Sequence, residues 1–280
     1  MREIPVSQIK DAVKSMALEA SWKLGEPEKA ALRRLAAEEE NPVGRQILEM
    51  LVENYELAEK EQRPLCQDTG LAIVFVEAGQ DVHFVGGNLH DAIDQGVREA
   101  YREGLLRFSV LDDPLLRRNT GDNTPAVVHT EIVPGDKVRL VFDAKGGGCE
   151  NCSQFKMLKP AEGRDGVIQF VAQAVAQGSG NPCPPVIVGV GLGGSFERAC
   201  YLAKKALMRP LGTPNARPHL ARLEQDLLDA VNRTGVGPMG LGGLKTAMAV
   251  HVEAYPCHIT SLPVAVNLDC HSHRHRETEL

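Results

Sequence analysis

No block of basic residues occurs anywhere in the chain: 31 lysines and arginines are scattered among 37 acids, for a net charge of -6. That distribution argues against nucleic acid as the main partner. It does not exclude a small anion, because a few local cations hold a dicarboxylate whatever the global sign. Also missing is any apolar run approaching the length of a membrane span, and the start, Met1-Arg-Glu-Ile-Pro-Val6, lacks the basic segment and apolar core of a secretory leader. A cytoplasmic protein with no membrane partner is expected. There is no pattern of a disulfide framework either, since seven cysteines, an odd number, are widely spaced in a chain long enough to bury its own core. No internal repeat and no low-complexity linker interrupt it. What is present, 43% hydrophobic and 24% charged residues, is the balance of a globular domain.

Hydrophobic periodicity then assigns the elements. Ile9, Ala12, Val13 and Met16 share a helical face, a second helix opens at Glu26-Pro27, and Ile47, Leu48, Leu51, Tyr55 and Ala58 mark a third. After residue 62 the period changes. Leu71 to Val76 and Val82 to Val85 read as strands, and Leu89 to Tyr101 as an amphipathic helix. Ala126 to Val133 and Lys137 to Phe142 flank Pro134-Gly135-Asp136, the pattern of a hairpin. Helices are expected over Val167 to Ala176, Ser195 to Leu207 and Arg217 to Val231, with strands over Pro185 to Val190, Lys245 to Glu253 and Ile259 to Leu268. The expectation is an α/β fold, a mixed sheet flanked by helices, in one catalytic domain over residues 1–280. Residues 1–62 would form a helical N-terminal portion and 63–280 a mixed α/β portion.

Cys66-Gln67-Asp68-Thr69-Gly70 places a thiol, an amide, a carboxylate and a hydroxyl on consecutive residues at a turn before a strand, where side chains can converge on a site. Pro, Asp and Gly are also ordinary turn formers, and a lone cysteine there is usually a small buried hydrophobe. Lys145-Gly146-Gly147-Gly148 can present main-chain N–H groups to an anion, so Gly147 and Gly148 are candidates for a carboxylate cradle. Cys149-x-x-Cys152 resembles a zinc or redox pair, but no second pair stands at zinc-ribbon spacing. Gly189-Val-Gly191-Leu-Gly193-Gly194 formally satisfies G-x-G-x-x-G and offers a nucleotide-binding oxidoreductase as an alternative. The acid that fingerprint needs about 20 residues on is replaced by Met208-Arg-Pro-Leu-Gly-Thr-Pro. Cys183 sits between prolines and Cys270 ends the last apolar strand. With Cys66, these distant thiols would suit a [4Fe-4S] cluster held by three cysteines, although spacing alone does not select them.

Four motifs occur in the order seen in the iron-sulfur hydro-lyases: Cys66-Gln-Asp-Thr-Gly, Lys145-Gly-Gly-Gly, Cys183-Pro-Pro-Val-Ile-Val-Gly-Val-Gly-Leu-Gly-Gly, and Gly237-Pro-Met-Gly-Leu-Gly-Gly243. Over nearly its whole length the chain resembles the α subunit of class I fumarate hydratase and its near relative, the α subunit of L-tartrate dehydratase. The resemblance implies a [4Fe-4S] cluster on Cys66, Cys183 and Cys270, with Pro263-Val264 favouring Cys270 over Cys257 as the third ligand. It implies catalytic roles for Asp68 and His258, and substrate contacts from Gln67 and from Arg107, whose guanidinium suits a carboxylate. It departs at Cys149, where the family more often has serine. The implied reaction is reversible hydration of fumarate to (S)-malate, with L-tartrate dehydration or mesaconate hydration as alternatives. A separate β subunit is the implied partner, supplying the general base. The histidines and arginines from His271 to Arg276 are expected to be a solvated tail without a catalytic role.

Overall fold

A computed structural model describes all of residues 1–280. In chain order the elements are β1 (Arg2–Pro5), α1 (Val6–Trp22), α2 (Glu26–Glu38), α3 (Pro42–Glu61), β2 (Leu71–Gly79), β3 (Val82–Val85), α4 (Leu89–Glu103), β4 (Val127–Val133) and β5 (Val138–Lys145). They continue as α5 (Gly147–Glu150), β6 (Gln154–Leu158), α6 (Gly163–Gly178), β7 (Val186–Gly193), α7 (Phe196–Leu207), α8 (Pro218–Asn232), β8 (Ala247–Tyr255), β9 (Leu262–Asp269) and β10 (His275–Glu279). The α/β class read from periodicity is the class observed, and no helix is long and apolar enough to cross a membrane. Two compact units divide the chain: residues 1–24, 55–147 and 274–280 form the first, and residues 25–54 and 148–273 the second. The helical stretch 1–62 is thus shared between them, with the division falling inside α3.

In the first unit a four-stranded sheet runs β10-β5-β2-β4. Ala72, Val74, Val76 and Ala78 of β2 and Val138, Leu140, Phe142 and Ala144 of β5 alternate onto one face, the strand period of two. Ile9, Val13 and Met16 of α1 and Ile93, Val97 and Tyr101 of α4 belong to the same core. Asn88 caps α4, its Oδ1 accepting from the main-chain N–H of His90 at 2.8 Å. A glycine is required at position 96, because a Cβ there would lie 2.5 Å from the carbonyl oxygen of Lys10 on α1.

The expected hairpin is not one. β2 lies between the two strands, parallel to β4 and antiparallel to β5. The Pro134-Gly135-Asp136 turn instead wraps the end of β2, with Gln80 N–H donating to Val133 and Asp81 N–H to Gly135. Turn residues announce a reversal, but the gap they span is decided by which strand fills it. The tail read as solvated is also structured: β10 pairs antiparallel with β5 from His275 to Glu279.

The second unit holds a sheet of order β6-β9-β7-β8, with β7 parallel to β8 and antiparallel to β9. Val186, Val188 and Val190 of β7 join the core formed with α6 and α8. The intervening Gly189 and Gly191 leave room for α7: a Cβ at either would lie 2.0 Å from the carbonyl oxygen of Ala203 or Ala199. Two of the three glycines that imitate a nucleotide fingerprint, Gly189 and Gly191, are therefore used in helix-on-strand packing. On α8, Glu224 is a buried carboxylate that pairs with Arg209 and accepts from the main-chain N–H groups of Val252 at 2.8 Å and Asn215 at 2.9 Å.

His251 of β8 is 3% exposed, with Nδ1 3.2 Å from the carbonyl oxygen of Ala206. Burial, reinforced by the charge of Arg209, pushes its pKa down from 6.5 to about 4. The folded state therefore refuses a proton that the unfolded chain accepts below the ordinary pKa. Stability is fully retained above that value and falls as the solution is acidified toward the folded pKa, by on the order of 3 kcal/mol in all. The thermal midpoint of the parent should drop more between neutral and mildly acidic solution than that of His251→Gln, and equal drops would contradict this origin.

Candidate active site

The turn Cys66–Gly70 belongs to the first unit, where hydrogen bonds to main-chain carbonyls hold it at both ends. Leu65 N–H donates to the carbonyl of Ser21 at 2.8 Å, and Thr69 Oγ1 donates to the carbonyl of Arg107 at 2.8 Å. Tyr101 is 1% exposed, and its hydroxyl lies 2.7 Å from the carbonyl oxygen of Thr69 and 3.0 Å from that of Gly70. Burial pushes this phenol well above its ordinary range, so it serves as a neutral donor. Gly70 has φ +85°, and a Cβ on it would lie 2.6 Å from the carbonyl carbon of Ala144. No other residue satisfies both the left-handed backbone and that close approach to β5.

Within this turn Cys66 and Asp68 are half-buried and Gln67 is exposed. Both Asp68 carboxylate oxygens accept main-chain N–H groups: Oδ1 from Gly70 at 3.1 Å and Oδ2 from Gly147 at 2.8 Å. Its carbonyl accepts from Arg274 Nη1. A carboxylate fixed by backbone donors keeps one orientation without needing a second side chain. Position 146 borders the same groups, since a Cβ there would sit 3.4 Å from Asp68 Oδ2 and 3.5 Å from Arg274 Nη2. Arg107 has an exposed side chain and is joined to the turn through the Thr69 bond to its carbonyl. The first unit thus brings Cys66, Gln67, Asp68, Arg107 and Gly147 together on one scaffold. Arg274, 3% exposed, was missed because a polar run such as His271 to Arg276 carries no hydrophobic periodicity. The only signal is two-residue spacing in charged residues, which hydropathy does not register.

The second unit gathers the other thiols. Cys183 is half-buried with φ +53°, a left-handed conformation that costs a side-chain-bearing residue about 1 kcal/mol or more and persists where surrounding structure imposes it. Its N–H donates to Gly180 at 3.0 Å, and its carbonyl accepts from His271 N–H at 3.4 Å, which ties its loop to the residue following Cys270. Cys270 is buried at the end of β9. Gly148 passes close to the same loop, a Cβ there falling 2.9 Å from the carbonyl oxygen of Asn181. Cys149 Sγ donates to the carbonyl of Pro182 at 3.3 Å. The Gly237–Gly243 motif closes against this loop as well: a Cβ on Gly240 would lie 2.5 Å from Gly180 Cα. His258 lies on the exposed turn between β8 and β9, bonded locally to Thr260 Oγ1 at 2.8 Å. Cys257, next to it, is exposed with its thiol on the carbonyl of Ser261.

The thiol chemistry suits iron and sulfide. Thiolates are the donors such clusters take, and the second unit offers two, Cys183 and Cys270, from loops joined by a main-chain bond.

Comparison with known proteins defines the class. A family model described as fumarate hydratase (fumerase) matches residues 10–279, and the chain belongs to this family of hydro-lyases. It is similar to a protein of Methanocaldococcus jannaschii provisionally named as an L(+)-tartrate dehydratase subunit alpha, with 38% identity over 273 residues, 95% of each chain. The L(+)-tartrate dehydratase subunit alpha of Escherichia coli K12 is 36% identical over 246 residues, covering 87% of this chain and 81% of that one. The subunit of the same name from Shigella sonnei matches to the same extent.

Replacing Tyr101 by Phe removes the hydroxyl donor from the carbonyl of Thr69 while keeping the ring. The first unit should lose about 1–3 kcal/mol of stability, and Cys66 should react faster with a thiol-alkylating reagent. Unchanged alkylation kinetics would show that Tyr101 does not hold the turn.

Proposed function

We propose that this chain is the α subunit of a cytoplasmic iron-sulfur hydro-lyase that hydrates fumarate to (S)-malate reversibly. The observation that carries the reading is the fixed carboxylate of Asp68, two residues from the Cys66 thiol and anchored by Gly70, Gly147 and Arg274. Membership of the fumarate hydratase family supports the reaction type. The names of the relatives as alpha subunits support a β subunit as partner. Those same names favour a second reading within the class, dehydration of L(+)-tartrate.

In this reading Cys66, Cys183 and Cys270 are the ligands of a [4Fe-4S] cluster. The cluster supplies Lewis acidity toward the hydroxyl and carboxylate of the substrate. Asp68 exchanges a proton with the entering or departing oxygen, and its main-chain bonds keep Oδ2 in one place while it does so. Gln67, exposed beside it, offers an amide to the substrate. Arg107 receives a substrate carboxylate, which a planar guanidinium can bind through two parallel N–H bonds. Gly147 and Gly148 border the substrate without side chains, and the Gly147 N–H expected to cradle an anion is instead taken by Asp68 Oδ2. His258 completes the residues assigned here to substrate. The general base for the carbon-bound proton is expected on the β subunit.

Co-expression with a β chain followed by anaerobic assays on fumarate, L-tartrate and mesaconate tests the reading and ranks the substrates. Asp68→Asn should lower kcat by about 10²–10⁴-fold with iron and sulfide content unchanged. Cys183→Ala should bind less iron and sulfide than the parent. If Cys183→Ala binds as much as the parent, the ligand assignment is wrong. If the assembled complex turns over none of the three acids, the reaction is wrong.

A further inference from the structure

Cys149, Asp269 and Cys270 lie together within the second unit. Their donor atoms, two Sγ and a carboxylate oxygen, are all within 4.8 Å of one another. All three residues are buried, at 4%, 2% and 8% exposure. We propose that they form a site for a single soft divalent cation, of the zinc class, sharing only Cys270 with the cluster proposed above.

The donor chemistry selects the cation. Two thiolates and one carboxylate favour zinc, cobalt or ferrous iron over magnesium or calcium, which take oxygen ligands. Three protein ligands leave the fourth tetrahedral position to water. With metal–sulfur bonds of about 2.3 Å, thiolates in such a site lie about 3.8 Å apart, so only a small closure of the side chains is needed. The carboxylate is already oriented: Asp269 Oδ2 meets His273 Nδ1 at 2.5 Å, and Oδ1 accepts from Cys270 N–H at 3.1 Å. Histidine and main-chain partners of this kind hold ligands in position around bound metals. Cys149 is placed by the Pro182 carbonyl. Binding would release two thiol protons, one each from Cys149 and Cys270, and leave the complex with one net negative charge.

The pairing differs from the one local spacing suggests. Cys152 lies against Gly178, its Sγ 3.4 Å from where a Cβ on that glycine would be, and it is not a member of the donor group. The partner of Cys149 is Cys270, 121 residues further along the chain. Because Cys270 is also a proposed cluster ligand, the cation and the cluster would exclude each other. A chain loaded with zinc should then resist cluster assembly. Only this last consequence rests on the hydro-lyase reading.

The test uses the full chain, purified anaerobically without cluster and titrated with cobalt(II). One cobalt per chain is expected, with an intense thiolate-to-cobalt charge-transfer band in the near ultraviolet that zinc abolishes by displacement. Cys149→Ser should lose most of that band and weaken cobalt binding by more than the roughly 10–100-fold that follows loss of a supporting hydrogen bond. It should still yield the brown iron-sulfur chromophore on reconstitution. Asp269→Asn, checked for native circular dichroism, should retain the charge-transfer band and shift the visible bands. Cys66→Ala, outside the ligand set, should keep the cobalt spectrum and lose the cluster. Cobalt bound only through oxygen, a band that survives in Cys149→Ser, or a band lost in Cys66→Ala would overturn the site. A parent that builds the cluster but shows no thiolate-bound cobalt removes this inference and leaves the hydro-lyase reading standing. The reverse result removes that reading and leaves the site.

Discussion

Main-chain hydrogen bonding to one carboxylate is the constraint on which the candidate chemistry depends. Asp68 stands in an irregular turn, where a side chain would ordinarily sample several rotamers. It is held because Gly70 and Gly147 direct N–H groups at its two oxygens and Arg274 binds its carbonyl. Each of these partners has its own support. Gly70 lies against β5 because it lacks a Cβ, and its carbonyl is held by Tyr101 and Asn123. Arg274 directly precedes β10, whose pairing with β5 fixes where the guanidinium begins. Proton exchange at a defined atom needs such a frame, because a misplacement of about 1 Å can cost a hundredfold in rate.

In the second unit the same economy of side chains appears as glycine packing. Gly189 and Gly191 face α7 while the alternating valines of β7 face α6 and α8, so one strand is buried on both sides with two kinds of surface. Removing Cβ atoms from one face lets a helix backbone approach the strand, and branched side chains on the other supply apolar burial. The Cys183 loop gains its shape in a related way, from Gly180 and Gly240 meeting backbone to backbone. A thiol in a left-handed residue is sustained by that enclosure, since its own conformational preference opposes it.

Much of the element plan was legible because it is local. The apolar periods of Ile9 to Met16, Leu89 to Tyr101 and Arg217 to Val231 each report one face of one helix, and the helices lie where those periods place them. The hairpin failed for a reason no local pattern contains: β2 enters between the two strands from fifty residues upstream in the chain. Arg274 escaped because the charged residues leading into and forming β10 look like a solvated tail. Gly189 to Gly194 imitated a phosphate loop because glycine is selected by any close backbone approach, whether of a ligand or of a helix.

By itself the sequence determined the α/β class, the candidate turn at Cys66 to Gly70, and the family, since four motifs in one order do not depend on how the chain is folded. Which donors meet was decided only in three dimensions. Spacing sets Cys149 with Cys152, and the fold instead sets it beside Cys270 and Asp269. Chain order sets Asp68 beside Gln67, and the fold gives it Gly147 and Arg274. The physical reason is common to both. Periodicity encodes which face of an element is apolar, whereas a hydrogen bond or a metal ligand depends on distances of a few ångströms between residues that the chain order keeps far apart.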